Sequence, residues 1–283
     1  MMIMTAEQYH QNKQDVFSEY YDEIFVPEEA IGRDRTEACE AMLKACVCDL
    51  ELDTPIYHYI SFDYFMKMLE KKALHLSWAN PFSPLDEDLI FPDCTRNMIS
   101  NVVISLSQVK NTVYVKCFSL ESDSNQLWDK ASQNGFEDCV CFKTTPRKIF
   151  KAIVSPNKGM RALAYDFLKM QYKKWADFCR CINASVSINV QDLMARRYES
   201  LSTLPSTDAS GESTSYPNEK EVRLIYDKSK REFSCPTMWH PVANFAFIDD
   251  VRVSPSGNEM TGKQMIDSIV KGGNIPNGII HQR

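Results

Sequence analysis

Short segments rich in β-branched and aromatic residues recur along the chain, and segments of helical spacing lie between them. TVYVKCFS at residues 112–119 is the clearest strand segment, because valine, tyrosine and phenylalanine favour extended backbone. IYHYI at residues 56–60 predicts a second strand, and the amphipathic segment at residues 62–72 predicts a helix directly after it. Interleaving of this kind predicts an α+β domain, in which helices surround a mixed or antiparallel sheet core.

The same patterns place the remaining elements. Further strands are expected at residues 73–78, 137–143, 149–154, 219–227, 232–236 and 245–253. Further helices are expected at residues 6–25, 34–49, 95–109, 123–132, 159–200 and 261–270. Loops are expected at residues 79–92, which hold three prolines, and at residues 201–218, a mobile stretch rich in Ser, Thr, Pro and Gly. Residues 1–53 are therefore predicted to be an N-terminal helical segment and residues 54–283 an α+β domain of catalytic type.

The composition is typical of a globular protein. Of the 283 residues, 44% are hydrophobic and 25% are charged, so disorder is not expected. The sequence contains neither an apolar run of about 18 residues nor a signal-peptide pattern, so a cytoplasmic protein without a membrane span is expected. Its ten cysteines are expected to be reduced thiols. The three C-x-C pairs lack the C-x-x-C spacing of a zinc site, so no metal site is predicted.

Charge is distributed unevenly along the chain. The net charge is -6, but residues 1–53 hold 13 acidic and 4 basic residues, whereas residues 143–180 hold 10 basic and 2 acidic residues. This asymmetry suggests a basic surface that could meet phosphates and an acidic segment that could cover it. Two solvated helix faces would give the same pattern.

A late strand, NEKEVRLIYD at residues 218–227, carries an E-x-E-x-R motif. Because alternate residues of a strand point to the same side, Glu219, Glu221 and Arg223 share one face, and the apolar residues between them line the other. One interpretation is an exposed sheet face with local ion pairing. The other is that two carboxylates and an arginine project into a cleft.

The first strand carries His58 between two tyrosines. Taken alone, His58 is interpreted as a structural histidine that donates a hydrogen bond to a backbone carbonyl. Its neighbours Tyr57, Tyr59 and Ser61 supply rings and a hydroxyl that could instead accompany it in a binding site.

A basic segment near the middle of the chain interleaves lysines with aromatic residues. Lys169, Lys173 and Lys174 lie close to Tyr172 and Trp175. Such a segment could hold RNA or single-stranded DNA, although at helical spacing the same aromatic residues could be core.

The order of four segments resembles the ADP-ribosyltransferase superfamily of the histidine-aromatic-glutamate kind. These segments are the Y-H-x-x-S strand at residues 57–61, a following helix that ends in L-x-x-x-A-L, the C-F-S strand at residues 117–119 and the E-x-E strand at residues 219–221. The resemblance implies an ADP-ribosyltransferase-like sheet and an enzyme whose substrate is NAD.

The resemblance also implies roles for individual residues. Glu221 matches the glutamate that stabilises the oxocarbenium-like ribose left when nicotinamide departs, and Glu219 would orient or deprotonate the acceptor. His58 would hold the ribose of NAD. The residues that the resemblance places at NAD are Tyr57, His58, Tyr59, Ser61, Ser119, Trp128 and Arg223, with Tyr57, Tyr59 and Trp128 as candidates for stacking on nicotinamide. Lys169, Lys173 and Lys174 would meet the acceptor, for which RNA or single-stranded DNA is favoured over protein.

A second resemblance covers residues 57–256. The order Y-x-Y, C-F-S, L-W, E-x-E-x-R and F-I-x-x-V-x-V-S-P is similar to that of a large bacterial family of uncharacterised proteins that often accompanies phage-defence and toxin-antitoxin genes. It implies a toxin or anti-phage effector with an antitoxin or inhibitory protein as its partner. The chain departs from this family at residues 82–87, where members show F-N-D-P-F-E, and after Trp128, where they show M-W-x-x-Y.

Two other functions fit the same residues. A metal-dependent nuclease would gather Asp86, Glu219 and Glu221 around Mg²⁺, because hard cations prefer carboxylate oxygens, although Arg223 stands where such nucleases more usually have lysine. A non-enzymatic interaction module would bind a partner through the acidic N-terminal helices. The transferase needs NAD and releases nicotinamide, the nuclease needs metal and cuts without NAD, and the module does neither.

Overall fold

The computed structural model describes residues 6–19, 35–78, 113–133, 135–153, 165–169, 171–174, 196–199, 220–227, 239–257 and 260–283. The helices in these ranges are α1 (Ala6–Glu19), α2 (Arg35–Ala45), α3 (Phe62–Lys71), α4 (Asn125–Ala131), α5 (Pro146–Ala152) and α6 (Gly262–Lys271), with a 3₁₀ turn at Asn277–Ile279. The strands are β1 (Val47–Cys48), β2 (Ile56–Ser61), β3 (Ala73–His75), β4 (Ser77–Trp78), β5 (Val113–Ser119), β6 (Cys139–Thr144), β7 (Tyr165–Lys169), β8 (Gln171–Lys174), β9 (Arg196–Glu199), β10 (Glu221–Asp227), β11 (Trp239–Pro241), β12 (Asp250–Ser254) and β13 (Ile280–Gln282).

One large mixed sheet organises the described residues. Its strand order is β1-β7-β10-β5-β2-β6-β12-β13, and β4 adds a further pairing to β5. The β1-β7 and β12-β13 pairs are parallel and the other pairs of this sheet are antiparallel. Two small sheets, β3-β11 and β8-β9, accompany it. The predicted α+β class is therefore confirmed.

One face of the large sheet, called the core face below, carries the main hydrophobic core. Phe142 of β6 and Leu224 of β10 are fully buried there. Helices α3, α5 and α6 cover this face with Phe65, Ile149 and Met265. Burial of each such side chain contributes about 1.5–3 kcal/mol to folding, so these helices are held to the sheet mainly by apolar burial.

The opposite face, called the second face below, packs against α4. Trp128 of α4 is buried with Cys139 and Cys141, and Tyr57 and Tyr59 complete this small cluster. Both cysteines of this C-x-C pair are free thiols that face the cluster, which fits packing residues.

Local signals explain where several helices begin. Thr261 and Gln264 form a capping box at the start of α6, with the Gln264 backbone nitrogen 3.3 Å from the Thr261 hydroxyl. Ser124 caps α4 in the same way through its hydroxyl. The α3 helix ends where Lys72 adopts a left-handed conformation with φ of 46°.

Most of the predicted elements that fall within the described residues are found. The strands expected at 56–60, 112–119, 137–143 and 219–227 correspond to β2, β5, β6 and β10, and the helices expected at 62–72, 123–132 and 261–270 correspond to α3, α4 and α6. The helices expected at 6–25 and 34–49 are found as α1 and α2, but the end of the second prediction is wrong, because residues 47–48 pair with β7 as strand β1. The strand expected at 73–78 is divided into β3 and β4. The helix expected at 95–109, the loops expected at 79–92 and 201–218 and the strand expected at 232–236 lie outside the described residues.

The strand expected at residues 149–154 is wrong, because residues 146–152 form α5. The Thr145 hydroxyl accepts a hydrogen bond from the Lys148 backbone nitrogen at 3.3 Å, and Pro146 occupies the first turn. The strand expected at 245–253 begins only at Asp250, because a turn precedes it in which the Ile248 backbone nitrogen donates to the Phe245 carbonyl at 3.0 Å.

The helical interpretation of residues 159–200 is also wrong for the described residues, which form β7, β8 and β9. Strand β7 pairs with β10 from Tyr165↔Tyr226 to Lys169↔Val222, and Tyr165 and Phe167 are buried. Long-range pairing thus outweighs the local helical pattern.

The N-terminal segment contributes directly to the sheet. Strand β1, at residues 47–48, pairs in parallel with β7, and the Phe167 backbone nitrogen donates to the Cys46 carbonyl at 2.8 Å. Lys13 of α1 forms a buried ion pair with Asp166 of β7. Among the described helices, none is both long enough and apolar enough to cross a membrane.

Candidate functional site

Three of the predicted site residues lie in one row across the sheet. Ser119 of β5 is the register partner of both Glu221 on β10 and Tyr57 on β2. Side chains directly opposite each other in antiparallel strands point to the same side, so all three belong to the second face. Two of the strands that form this row are separated by about a hundred residues of sequence, and the fold brings them together.

The carboxylate of Glu221 is buried and held by an arginine. The Arg223 guanidinium donates from Nε to Oε1 at 2.8 Å and from Nη2 to Oε2 at 3.3 Å. The side chains of Glu221 and Arg223 are 6% and 15% exposed. The ion pairing predicted for this strand is present, but the Glu221–Arg223 pair is largely buried, so this part of the face is not exposed. A two-point guanidinium contact fixes the orientation of the carboxylate. Glu219 lies outside the described residues.

The ends of β5 and β10 are tied together beside Glu221. Lys220 has a left-handed φ of 40°, and its carbonyl accepts a hydrogen bond from the Leu120 nitrogen at 3.1 Å. Its side chain forms an ion pair with Glu121. The backbone nitrogen of Glu121 in turn donates to the Ser119 hydroxyl at 2.9 Å. An unusual backbone conformation held by its surroundings is often found next to functional residues, and neither Lys220 nor Glu121 was singled out by the sequence.

The sheet opens beside this row. Strand β2 pairs with β5 only at Tyr57↔Ser119, whereas it pairs with β6 from Ile56 to Ser61. Cys117, the register partner of Arg223, is exposed. Solvent therefore reaches the second face close to Arg223, at the point where β2 and β5 separate.

Tyr57 is the predicted aromatic residue that belongs to the row. Its ring is partly exposed, and the Arg252 guanidinium lies 5.8 Å from the ring centroid. Arg252 also lies 3.6 Å from the Asp250 carboxylate and donates to the Ser122 carbonyl. Arg252 was not predicted at this site, because the pairing that brings β12 to this part of the sheet cannot be read from sequence periodicity.

Tyr59 and Trp128 have structural contacts instead. The Tyr59 hydroxyl donates to the Glu121 carbonyl at 2.9 Å and accepts from the Ser124 nitrogen at 3.2 Å, and burial raises the pKa of Tyr59 well above its usual value. Its ring meets Trp128 edge-on at 5.2 Å. Trp128 is 2% exposed, and its indole nitrogen donates to Asp123 at 2.8 Å. These two rings support α4, so Tyr57 is the candidate that remains for stacking on a ligand.

His58 does not join Glu221, and this corrects the expected grouping. It lies on the core face, where its ring centroid is 5.4 Å from that of Phe118 and 5.3 Å from that of Phe142. Its Nδ1 is 2.7 Å from the Cys117 carbonyl, which can only accept, so Nδ1 carries the hydrogen. Burial, together with the charge of Lys116, lowers the pKa of His58 well below its usual value. The interpretation of His58 as a structural histidine agrees with these contacts.

The other predicted site residues are not members of the row. Ser61 stands at the far end of β2, four residues from Tyr57 and thus about 13 Å along the strand, and its register partner is Cys139. Lys169 ends β7 and is the register partner of Val222. Lys173 and Lys174 lie on β8, which pairs with β9 outside the large sheet. Ser61, Lys173 and Lys174 are therefore not in one site with Glu221, whereas the backbone of Lys169 is close to that of Glu221.

The part of the chain that the structure describes contains no cluster of side chains suited to metal binding. No group of three or more His, Cys, Asp or Glu side chains suited to a metal ion occurs there. Asp86 and Glu219, on which the nuclease hypothesis depends, lie outside the described residues.

The fold and the row together define a class: a mixed α+β protein whose large sheet carries an arginine-held carboxylate beside a hydroxyl and an aromatic ring. Comparison of the chain with models of known protein families finds no match, and comparison with curated proteins finds no significant match either.

Proposed function

We propose that this protein is an NAD-dependent ADP-ribosyltransferase with Glu221 as its catalytic carboxylate. The observation that carries the proposal is the row of Tyr57, Ser119 and Glu221 on one face of the sheet, next to the opening between β2 and β5. A carboxylate suits the cationic ribose that forms when NAD loses nicotinamide, and a hydroxyl and a ring in line with it suit binding of the ribose and the nicotinamide.

Each of these groups has a role in the proposed reaction. The bond between the ribose C1′ and nicotinamide breaks, nicotinamide leaves with the electron pair, and the ribose develops positive charge. The carboxylate of Glu221 stabilises that charge, and Arg223 holds the carboxylate in place. An acceptor oxygen or nitrogen then forms the new bond to C1′ and gives up its proton to a base or to water.

Tyr57 and Ser119 would orient the substrate. The Tyr57 ring is partly exposed, so a nicotinamide ring could stack on it. The Ser119 hydroxyl lies between Tyr57 and Glu221 in the row, a position suited to a ribose hydroxyl. These residues bind and orient NAD, and the bond cleavage is assigned to Glu221.

The proposal includes a macromolecular acceptor, with RNA or single-stranded DNA favoured over protein. The basic balance of residues 143–180 supports a polyanionic acceptor, and the acidic balance of residues 1–53 supports an electrostatic inhibitory role for that segment. The similarity to proteins that accompany phage-defence and toxin-antitoxin genes supports a cytoplasmic toxin or anti-phage effector with an antitoxin partner.

Release of nicotinamide from NAD tests the proposed bond cleavage. The wild-type protein, supplied with cell RNA, DNA and lysate protein, is expected to release nicotinamide, and Glu221→Gln is expected to slow release by about a hundredfold or more, because the neutral amide cannot stabilise the cationic ribose. Chromatographic quantification of nicotinamide gives the rate.

Glu40→Gln is the matched control for this experiment. Glu40 is also held by two guanidinium contacts, from Arg147, but these join α2 to α5 away from the row. The control is expected to keep the wild-type rate. Equal rates for Glu221→Gln and wild type, both folded, would remove Glu221 from the mechanism.

A further inference from the structure

A second cluster of chemically active side chains lies on the side of the molecule formed by α3 and the small β3-β11 sheet. His75 and Trp239 are register partners, with ring centroids 4.7 Å apart. The ring of Tyr64, on α3, lies 6.0 Å from that of His75. The three rings therefore form a continuous series, and Tyr64 at its end is 49% exposed. His75 and Trp239 are partly exposed.

Lysines accompany these rings. The Lys67 ammonium lies 5.2 Å from the centroid of Tyr64, and the Lys71 ammonium lies 5.4 Å from that of Trp239. Both lysines are exposed, and neither forms an ion pair with any described residue. These five residues, with Lys116 beneath them, are called the aromatic-lysine patch below.

Lys116 lies directly behind His75 in the interior. It lies on β5, is 6% exposed, and its Nζ donates to the His75 carbonyl at 3.2 Å. Burial, followed by the charge of Lys116, lowers the pKa of His75, which favours the uncharged ring as a stacking surface. The carboxylates of Asp63 and Glu70 lie beside Lys67 on the surface of α3, at i−4 and i+3 from it, but neither forms an ion pair with it.

We propose that the aromatic-lysine patch binds a single strand of nucleic acid, with bases stacked on its rings and phosphates beside its lysines. Unpaired bases expose flat faces that stack on tyrosine, tryptophan and histidine, and this stacking is tolerant of sequence. A base-paired duplex hides those faces. Lysines within reach of the rings neutralise the backbone that links the stacked bases, which a hydrophobic protein partner would not require.

The patch lies on the side of the sheet covered by α3, whereas Glu221 belongs to the second face. It therefore anchors a strand and does not touch the reacting atoms. The proposal stands apart from the transferase activity, since a protein without that activity would bind nucleic acid through the same residues.

Fluorescence anisotropy with labelled single-stranded oligouridylate tests the proposal. The full chain is expected to bind the oligonucleotide more tightly than a duplex of the same length and less tightly as salt rises. Tyr64→Ser and the double variant Lys67→Glu/Lys71→Glu are each expected to weaken binding by tenfold or more. All three positions are exposed, so these variants should fold, as circular dichroism will show.

Matched changes elsewhere on the surface serve as controls. Lys263→Glu/Lys271→Glu makes the same charge change on α6, and Phe136→Ser removes a ring that is 74% exposed. Both controls are expected to bind as the wild type does. Absence of binding at low salt, equal losses in the patch and control variants, or binding of a protein partner alone through the patch would each overturn the proposal.

Discussion

Lys13→Met is expected to lower the free energy of unfolding by about 3–5 kcal/mol, because it removes one partner of a buried ion pair. The side chains of Lys13 and Asp166 are 6% and 1% exposed. Burial, the largest single influence, would lower the pKa of Lys13, but the charges and hydrogen bonds of Asp166 and Cys46 together outweigh it, and the pKa is raised. The pair thus contributes stability below the ordinary lysine pKa of 10.5 and loses it only as the pH rises through the raised value.

Urea denaturation followed by circular dichroism measures this effect. The loss in Lys13→Met is expected to be nearly constant from pH 6 to pH 10. The double variant Lys13→Met/Asp166→Asn should recover part of it, because no buried carboxylate then lacks its counter-ion. A loss below about 1 kcal/mol, the size of an exposed pair, would show that the pair contributes little to the attachment of α1.

Lys116→Met is expected to have the opposite effect, raising the free energy of unfolding at pH 6 by roughly 2–4 kcal/mol. Lys116 is buried like Lys13, but its ammonium group donates to a neutral backbone carbonyl and not to a carboxylate. Burial lowers its pKa to about 7. The folded chain therefore releases a proton near pH 7 that the unfolded chain keeps up to about 10.5.

The pH dependence of the free energy of unfolding should distinguish Lys116→Met from Lys13→Met. Between the two pKa values of Lys116 the unfolded state binds more protons, so a rise in pH favours the folded state. The difference between Lys116→Met and wild type should thus be largest below pH 7 and disappear near pH 10.5, in contrast to the constant loss in Lys13→Met. A Lys116→Met variant that is less stable at every pH would contradict this account.

A buried lysine that weakens folding is consistent with a function for its charge. Lys116 lies directly behind His75, in the aromatic-lysine patch, and residues that break a local folding rule are often functional. The sequence itself indicates that Lys116 faces the core. In TVYVKCFS the lysine has the same parity as the buried Tyr114 and Phe118, so strand alternation places it on the core face.

Strand alternation also decides which predicted site residues can act together. Tyr57 and His58 are neighbours on β2 and must face opposite sides, so a site that contains Tyr57 and Glu221 cannot contain the His58 ring on the same face. The prediction that Glu221 and Arg223 share one face was correct, because they are two residues apart on the same strand. The register that sets Ser119 between Tyr57 and Glu221 is a long-range property, which no local pattern specifies.

The wrong element assignments have a related cause. IFKAIV at residues 149–154 has strand-like composition, but Thr145 and Pro146 start a helix just before it and Ile149 and Ala152 then share its buried side. At residues 165–169 the local pattern allows either a helix or a strand, and pairing with β10 selects the strand. In both segments the type of element depended on neighbouring residues and strands and not on local composition alone.

The measurement that tests the central claim most directly is transfer of radiolabel from adenylate-labelled NAD to a macromolecule. Wild-type protein is incubated with labelled NAD and cell RNA, and the RNA is purified and counted beside parallel DNA and protein samples. The account predicts Glu221-dependent label in RNA or single-stranded DNA. Absence of label in every acceptor, together with intact NAD and a folded protein, would contradict it.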